Sequence, residues 1–253
     1  YAVKVSTSEI IALDEDDAFA IATRYLVEDS GVFSETNFIH FGKTPALGQS
    51  DHTNLTSIVT IYDTAKSVAV PGGQQRKSLL RQLQTAGADD KQRLQQIFAQ
   101  QVAYWEALKR NFPEYGEVFA SKPADSAAGK YRHSNGGHLM FRPTAQLIFA
   151  RAVRVLMDRN QDLAKAVETL SRVPMELSRP PWRDVLWDPV NHRMAAGSRR
   201  LLAESLLLSI AGERPRRKDY NVLKEYREVL GDPNATLPTA KKSPKAKRPP
   251  GKR

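Results

Sequence analysis

Cysteine is absent from the 253-residue chain. A disulfide scaffold, a Cys-ligated zinc site, an iron–sulfur cluster and a cysteine nucleophile are therefore excluded within it. The absence says little about compartment, because cytosolic proteins need no cysteine either. No apolar run approaches the about 18 residues that a membrane-spanning helix needs. No basic patch followed by an apolar run marks a secretory signal at the start, where acids begin at Glu9. The phosphate-loop pattern GxxxxGKS/T, the dinucleotide pattern GxGxxG, the metalloprotease pattern HExxH and the hydrolase pattern GxSxG are all missing. Among His40, His52, His133, His138 and His192, no two stand four apart, as a helix-borne metal site requires. Neither a metal nor a cofactor is expected.

Hydrophobic residues make up 41% and charged residues 26%, a globular composition with material for one sizeable core. The formal net charge is +10, and seven of the basic residues lie from Lys241 to the end without an acid, which leaves +3 for residues 1–240. The first thirty residues are acidic, with Glu9, Asp14, Glu15, Asp16, Asp17, Glu28 and Asp29. Residues 237–253 read as a disordered Lys/Pro-rich tail with nothing to bury. Its Lys241, Lys242, Lys245, Lys247 and Arg248 would attract nucleic acid without sequence preference, or simply solubilise the terminus.

The fold class expected is mainly α: a helical domain with a few short strands over residues 1–236. Val3 to Ile11 reads as a short strand or extended entry, and Asp14 to Asp17 as the cap and first-turn acids of a helix that runs to about Glu28. Phe38 to Phe41 reads as a short strand. Apolar spacing predicts helices over 54–69, Ser78–Thr85, and from an Asp89 or Asp90 cap to just before Pro113. Pro123 to Asn135 is small, polar and Gly-containing, a loop and a candidate subdomain boundary. Pro143 suits the first turn of a helix carrying Ala145, Ile148, Phe149, Ala152, Val153 and Leu156 on one side. Asn160 is a candidate cap for a helix to Leu170, Leu201–Ser209 form another, and a basic helix spans Tyr220–Leu230. Trp182 and Trp187 read as core anchors, with base stacking as the alternative.

Three sets of basic residues are candidate anion sites. Arg132, His133, His138 and Arg142 surround Gly136-Gly137 just before a helix start, where free N–H groups can receive a phosphate; a tight turn packed from a short strand explains the same residues. Arg151 and Arg154, with Arg159, can form a phosphate-contacting stripe, or a solvated face paired to Asp158. Arg214, Arg216, Arg217 and Lys218, with Arg199 and Arg200, make a second basic concentration diluted by Glu204 and Glu213. Asp14, Asp16 and Asp17 are explained by a helix start without a cation. No nucleophile with a base, and no acid pair, can be located.

In order along the chain, several segments resemble the later part of the DGQHR-domain family, which includes DndB-like proteins of DNA-modification loci. These are Ala22-Thr23-Arg24-Tyr25-Leu26-Val27-Glu28-Asp29-Ser30-Gly31-Val32-Phe33, Leu55-Thr56-Ser57-Ile58-Val59-Thr60-Ile61-Tyr62-Asp63, Gly137-His138-Leu139-Met140-Phe141-Arg142-Pro143 with Gln146, and Trp182-Arg183-Asp184-Val185-Leu186-Trp187-Asp188. They fall within residues 15–210. The Asp-Gly-Gln-His-Arg motif of the family's N-terminal half is missing; Gly73-Gln74-Gln75-Arg76 stands in another context. The resemblance implies the C-terminal part of a larger α/β protein, with a separate N-terminal half or protein partner carrying the motif.

The leading expectation is thus a cytoplasmic, DNA-associated accessory or regulatory module of a modification or defence system. It would contact the phosphate backbone. The alternative is a non-catalytic subunit that docks on, or completes the active site of, a DNA-modifying enzyme or other partner. A purely structural interaction module is the third reading. DNA is the expected partner and a membrane is not.

Overall fold

Helix-forming segments and the residues that cap them set the architecture. The computed structural model describes residues 6–33, 38–48, 50–73, 75–85, 90–195, 197 and 199–241. Over these it is mostly helical, with two small two-stranded sheets.

The first helix, α1 (Thr7–Leu13), replaces the expected strand or extended entry. The reason is local: Ser6 and Glu9 form a capping box, in which the Ser6 N–H donates to Glu9 Oε2 at 2.7 Å and the Ser6 hydroxyl accepts from the Glu9 N–H. Asp17 then caps α2 (Ala18–Glu28) through the Phe19 and Ala20 N–H groups, as its position predicted. Strand β1 (Ile39–His40) runs parallel to β2 (Thr56–Ser57), in register Ile39↔Thr56 and His40↔Ser57. That pairing holds the chain extended to Ser57, whose hydroxyl caps Thr60 N–H, so α3 spans Ile58–Ala69 and starts later than position 54.

Helix α4 (Arg76–Gln84) is followed by α5 (Lys91–Asn111), capped by Asp90. At 1.5 Å per residue, α5 is about 30 Å long. Pro113 does more than end it: as the first residue of α6 (Pro113–Ala120) it starts a helix that periodicity missed. Helix α7 (Pro143–Met157) follows, with Pro143 in its first turn. Asp162, not Asn160, caps α8 (Leu163–Ser171); Asn160 sits in a left-handed turn at φ 65°. Strands β3 (Trp187–Asp188) and β4 (Arg193–Met194) pair antiparallel. Helices α9 (Arg200–Ile210) and α10 (Val222–Leu230) complete the set, the latter ended by left-handed Gly231.

Helix α7 is the axis of the molecule. It packs on α3, α8 and α9, while α5 lies against α2 and α8. A single apolar cluster runs from Ile11 to Tyr226 and includes Trp105, Trp182 and Trp187. The segment 123–135, where the sequence offered a subdomain boundary, contributes residues to this core. It forms two 3-10 turns, Pro123–Asp125 and Ala127–Lys130, and buries Ala128 and Arg132 completely. At the other end, the chain stays on the body past position 237. Leu237 and Ala240 pack against the core, and Lys241 N–H donates to Arg172 O at 2.8 Å. The expected disorder of the tail beyond Lys241, with Lys242, Lys245, Lys247 and Arg248, lies outside the described residues.

Two buried polar side chains tie these pieces together. Arg132 donates from Nε to Phe141 O at 2.9 Å, from Nη1 to Asp51 O at 2.7 Å and from Nη2 to Asn54 O at 2.7 Å. Gln146, also buried, accepts from Thr56 Oγ1 at 2.7 Å and donates to Met140 O at 2.8 Å. Both links join the strand β2 region to the 131–142 segment and α7. Gly137 makes the arrangement possible: at φ 75° an added Cβ would stand 2.2 Å from Tyr131 O.

Replacing Arg132 strands several buried carbonyls at once. We expect Arg132→Met to lower unfolding free energy by about 3 kcal/mol or more in urea denaturation. A loss under about 1 kcal/mol would show that these bonds do not hold the segments together.

Candidate functional site

The basic residues of the glycine-flanked segment 131–142 do not come together around one position. Arg132 is fully buried and spends its donors on backbone carbonyls. Burial lowers its pKa to about 10, with Asp51 opposing, so it remains a cation at neutral pH. His133 is exposed and joins no cluster. The His138 side chain is part of the fold: its Nδ1 accepts from Met140 N–H at 3.2 Å, capping the 3-10 turn Leu139–Phe141 that stands where a short strand was expected. Burial outweighs the nearby Glu114 carboxylate and lowers the His138 pKa to about 4. Arg142 is 6% exposed and donates through Nη2 to Gly136 O at 2.8 Å and His133 O at 3.0 Å. Arg132, His133, His138 and Arg142 therefore do not converge on one ligand position.

The arginines of α7 divide by role. Arg154 is pinned: its Nε donates to Asp158 Oδ1 at 2.8 Å and its Nη1 to Val68 O at 3.1 Å, while Asp158 Oδ2 receives the Gly72 N–H at 2.9 Å. It fastens the turn after α3 to α7, in the Asp158-paired arrangement that was the alternative to a phosphate contact. Arg159 likewise donates to Arg214 O at 2.7 Å and Pro215 O at 3.0 Å, clamping the loop after α9 against the end of α7.

These two clamps position a third set. Arg76 at the start of α4, Arg151 on α7, Arg200 at the start of α9 and Arg216 on the clamped loop line one cavity of about 410 Å³, with Ser67, Leu201 and Glu204. Glu204 is the carboxylate of the set, 5% exposed, and its Oε1 stands 2.9 Å from Arg216 Nε. Among the described residues, neither Arg151 nor Arg200 has a carboxylate within ion-pair distance. The electrostatics follow from this imbalance. Burial, then Arg216 and Arg151, push the Arg76 pKa down. Burial lowers Arg151, with Arg200 and Arg216 adding to the effect against Glu204. Burial raises Glu204 against the pull of Arg216, Arg151 and Arg76. Four cations thus face one buried carboxylate, an arrangement complementary to an anion carrying more than one charge.

The face continues past Arg216. A second, wider cavity of about 790 Å³ is bounded by Arg159, Glu213, Arg214, Arg216 and Lys218. Arg214, Arg217 and Lys218 are exposed, and Arg217 lines neither cavity. Lys241 sits at the C-terminal end of α8, beside Arg172. Of the residues singled out from sequence, the structure brings together Arg151, Arg159, Arg200, Arg214, Arg216 and Lys218 along these two cavities. Arg76 was missed, and Glu204 was read only as an acid diluting the basic concentration. The signal for Glu204 was a lone acid inside the apolar run Leu201–Ile210, which can be buried only beside a cation. Arg76 carried no local signal.

Asp14 and Asp17 are used as turn and cap acceptors, Asp14 Oδ1 receiving the Asp16 and Asp17 N–H groups. Among the described residues, no three His, Asp or Glu side chains converge as metal ligands would, and no helix is long and apolar enough to cross a membrane. Comparison with protein-family models, curated proteins and solved structures finds no match.

The half-buried His138 has a consequence for stability. Its folded pKa, about 4, lies below the unfolded value of 6.5. The unfolded state therefore binds the extra proton. The contribution is complete above pH 6.5 and is lost as pH falls toward 4, at up to about 1.4 kcal/mol per pH unit. We expect unfolding midpoints to drop over this window for the native chain and to drop less for His138→Gln. Equal slopes for the two chains would contradict a His138 held neutral in the fold.

Proposed function

We propose that this chain is a nucleic-acid-associated accessory module whose helical body grips the phosphate backbone along the arginine face. The observation that carries this reading is the cavity of Arg76, Arg151, Arg200 and Arg216 with its one buried carboxylate. Its continuation through Arg214 and Lys218 suits an extended polyanion better than a compact ligand. Arginine forks favour phosphate oxygens by bidentate hydrogen bonding. Contacts of this kind give affinity, register and salt dependence without reading sequence. The resemblance to DndB-like proteins supplies the setting: regulation of, or assistance to, a DNA-modification or defence system, in company with another chain or domain that carries the missing motif. A second reading, a discrete multiply phosphorylated small ligand, is favoured by the recessed 410 Å³ volume around Arg151.

The test is equilibrium binding of short duplex and single-stranded DNA to residues 1–241 across a salt series, which removes the remaining basic residues from the comparison. Losing two phosphate contacts should lower the log–log salt slope by about 2. The double variant Arg151→Glu/Arg216→Glu is expected to show that drop and at least a tenfold weaker affinity at low salt. Glu204→Gln is expected to bind more tightly. Unchanged affinity and slope in the double variant would overturn the assignment of the face. DNA displaced by micromolar mononucleotide triphosphate would favour the second reading.

A further inference from the structure

A different cavity, of about 250 Å³, opens at the N-terminal end of α7. Arg142, Pro143 and Thr144 form its base, Pro45 to Leu47 one wall, and His192 to Met194 the other. Among the described residues, no carboxylate lines it.

Its base presents donors without acceptors. In the first turn of the 15-residue helix α7, Pro143 has no N–H, and the Ala145 and Gln146 N–H groups donate to Arg142 O at 2.8 Å and 3.0 Å. That leaves the Thr144 N–H, and the half-buried Thr144 hydroxyl, with no hydrogen bond among the described residues. An unspent N–H at a helix start, on the positive end of the helix dipole, favours an oxyanion.

Arg142 is the second, independent observation. The residue is 6% exposed, yet among the described residues it pairs with no carboxylate. Among the described residues, only Nη2 bonds to the fold and the buried Nε has no acceptor, while the guanidinium lies 5.0 Å over the Trp187 ring. Burial alone lowers its pKa, to about 10, with no negative neighbour offsetting it. A buried cation without a counter-charge is costly, and an anion in the adjoining cavity would relieve that cost. Arg193, exposed at the rim, adds a second positive charge.

We propose that this cavity binds a phosphate monoester, with phosphoryl oxygens on the Thr144 N–H and hydroxyl and facing the Arg142 guanidinium. Arg193 closes over the group, and the ester carbon rests on Leu47 and Met194. At about 30 Å³ per water, the volume equals roughly eight waters, room for the phosphoryl group and the first atoms of its ester. The same chemistry is offered by a small alkyl phosphate or by the 5′-phosphate end of a nucleic-acid strand. The site does not depend on the arginine face around Arg151.

The experiment uses the full chain labelled with 15N, titrated with propyl phosphate and with a 5′-phosphorylated trinucleotide beside its 5′-hydroxyl counterpart. We expect the Thr144 amide resonance to move downfield and saturate. Arg193→Glu should weaken that response at least tenfold with an unchanged melting temperature. Thr144→Val should weaken it while keeping the amide probe, and Arg151→Glu should leave it intact. A saturable shift with propyl phosphate alone supports the site and assigns a small-molecule monoester. A shift with the 5′-phosphorylated strand and not with its 5′-hydroxyl form supports it and assigns a strand end. No saturable Thr144 shift with either phosphate, or an equal shift in Arg193→Glu, would overturn the proposal.

Discussion

A guanidinium buried at the centre of the molecule, that of Arg132, is the constraint on which the rest of the arrangement depends. Taking a cation out of water is costly unless every donor finds an acceptor. Arg132 meets that requirement with main-chain carbonyls from two distant segments, Asp51 to Leu55 and Phe141. The 51–57 strand region is thereby fixed against the 3-10 turn that introduces α7. Gln146, one turn inside that helix, repeats the link through Thr56 and Met140. Apolar packing of α3, α8 and α9 can then proceed around a helix whose start is already placed.

The same helix organises the charge. Its inner side is core, with Phe149, Val153 and Leu156 fully buried, while Thr144, Arg151 and Arg154 fall along a half-buried edge. On this edge Arg154 holds the fold, while Arg151 has no carboxylate within ion-pair distance among the described residues. Arg154 and Arg159 are consumed by Asp158 and by main-chain carbonyls. Because they are consumed, the turn after α3 and the loop after α9 stay in place, and Arg76 and Arg216 stand opposite Arg151. Residual charge at this face is a product of fixed geometry, which is what electrostatic recognition of phosphate requires.

Most helices were legible in the sequence because their signals are local. Asp17, Asp90 and Gly231 act where a cap is expected, and Pro143 begins a helix for the reason its missing N–H gives. The misses have physical causes as well. A Ser6–Glu9 capping box turned an expected strand into α1, and the β1–β2 pairing delayed α3. The site was less legible. Arginines and histidines around paired glycines look alike whether they await a phosphate or satisfy carbonyls, and only the tertiary structure shows Arg132 to be the latter. The convergence of Arg76, Arg151, Arg200 and Arg216 spans four separate segments, so no spacing along the chain encodes it.

The central claim is that the folded body meets nucleic acid through this arginine face. Hydrogen–deuterium exchange of the full chain, with and without duplex DNA at low salt, tests it most directly. The account predicts slowed exchange at residues 75–79, 199–205 and 212–219, with little change at 131–138. Protection absent from all three of these segments, or confined to residues beyond Lys241, would contradict it.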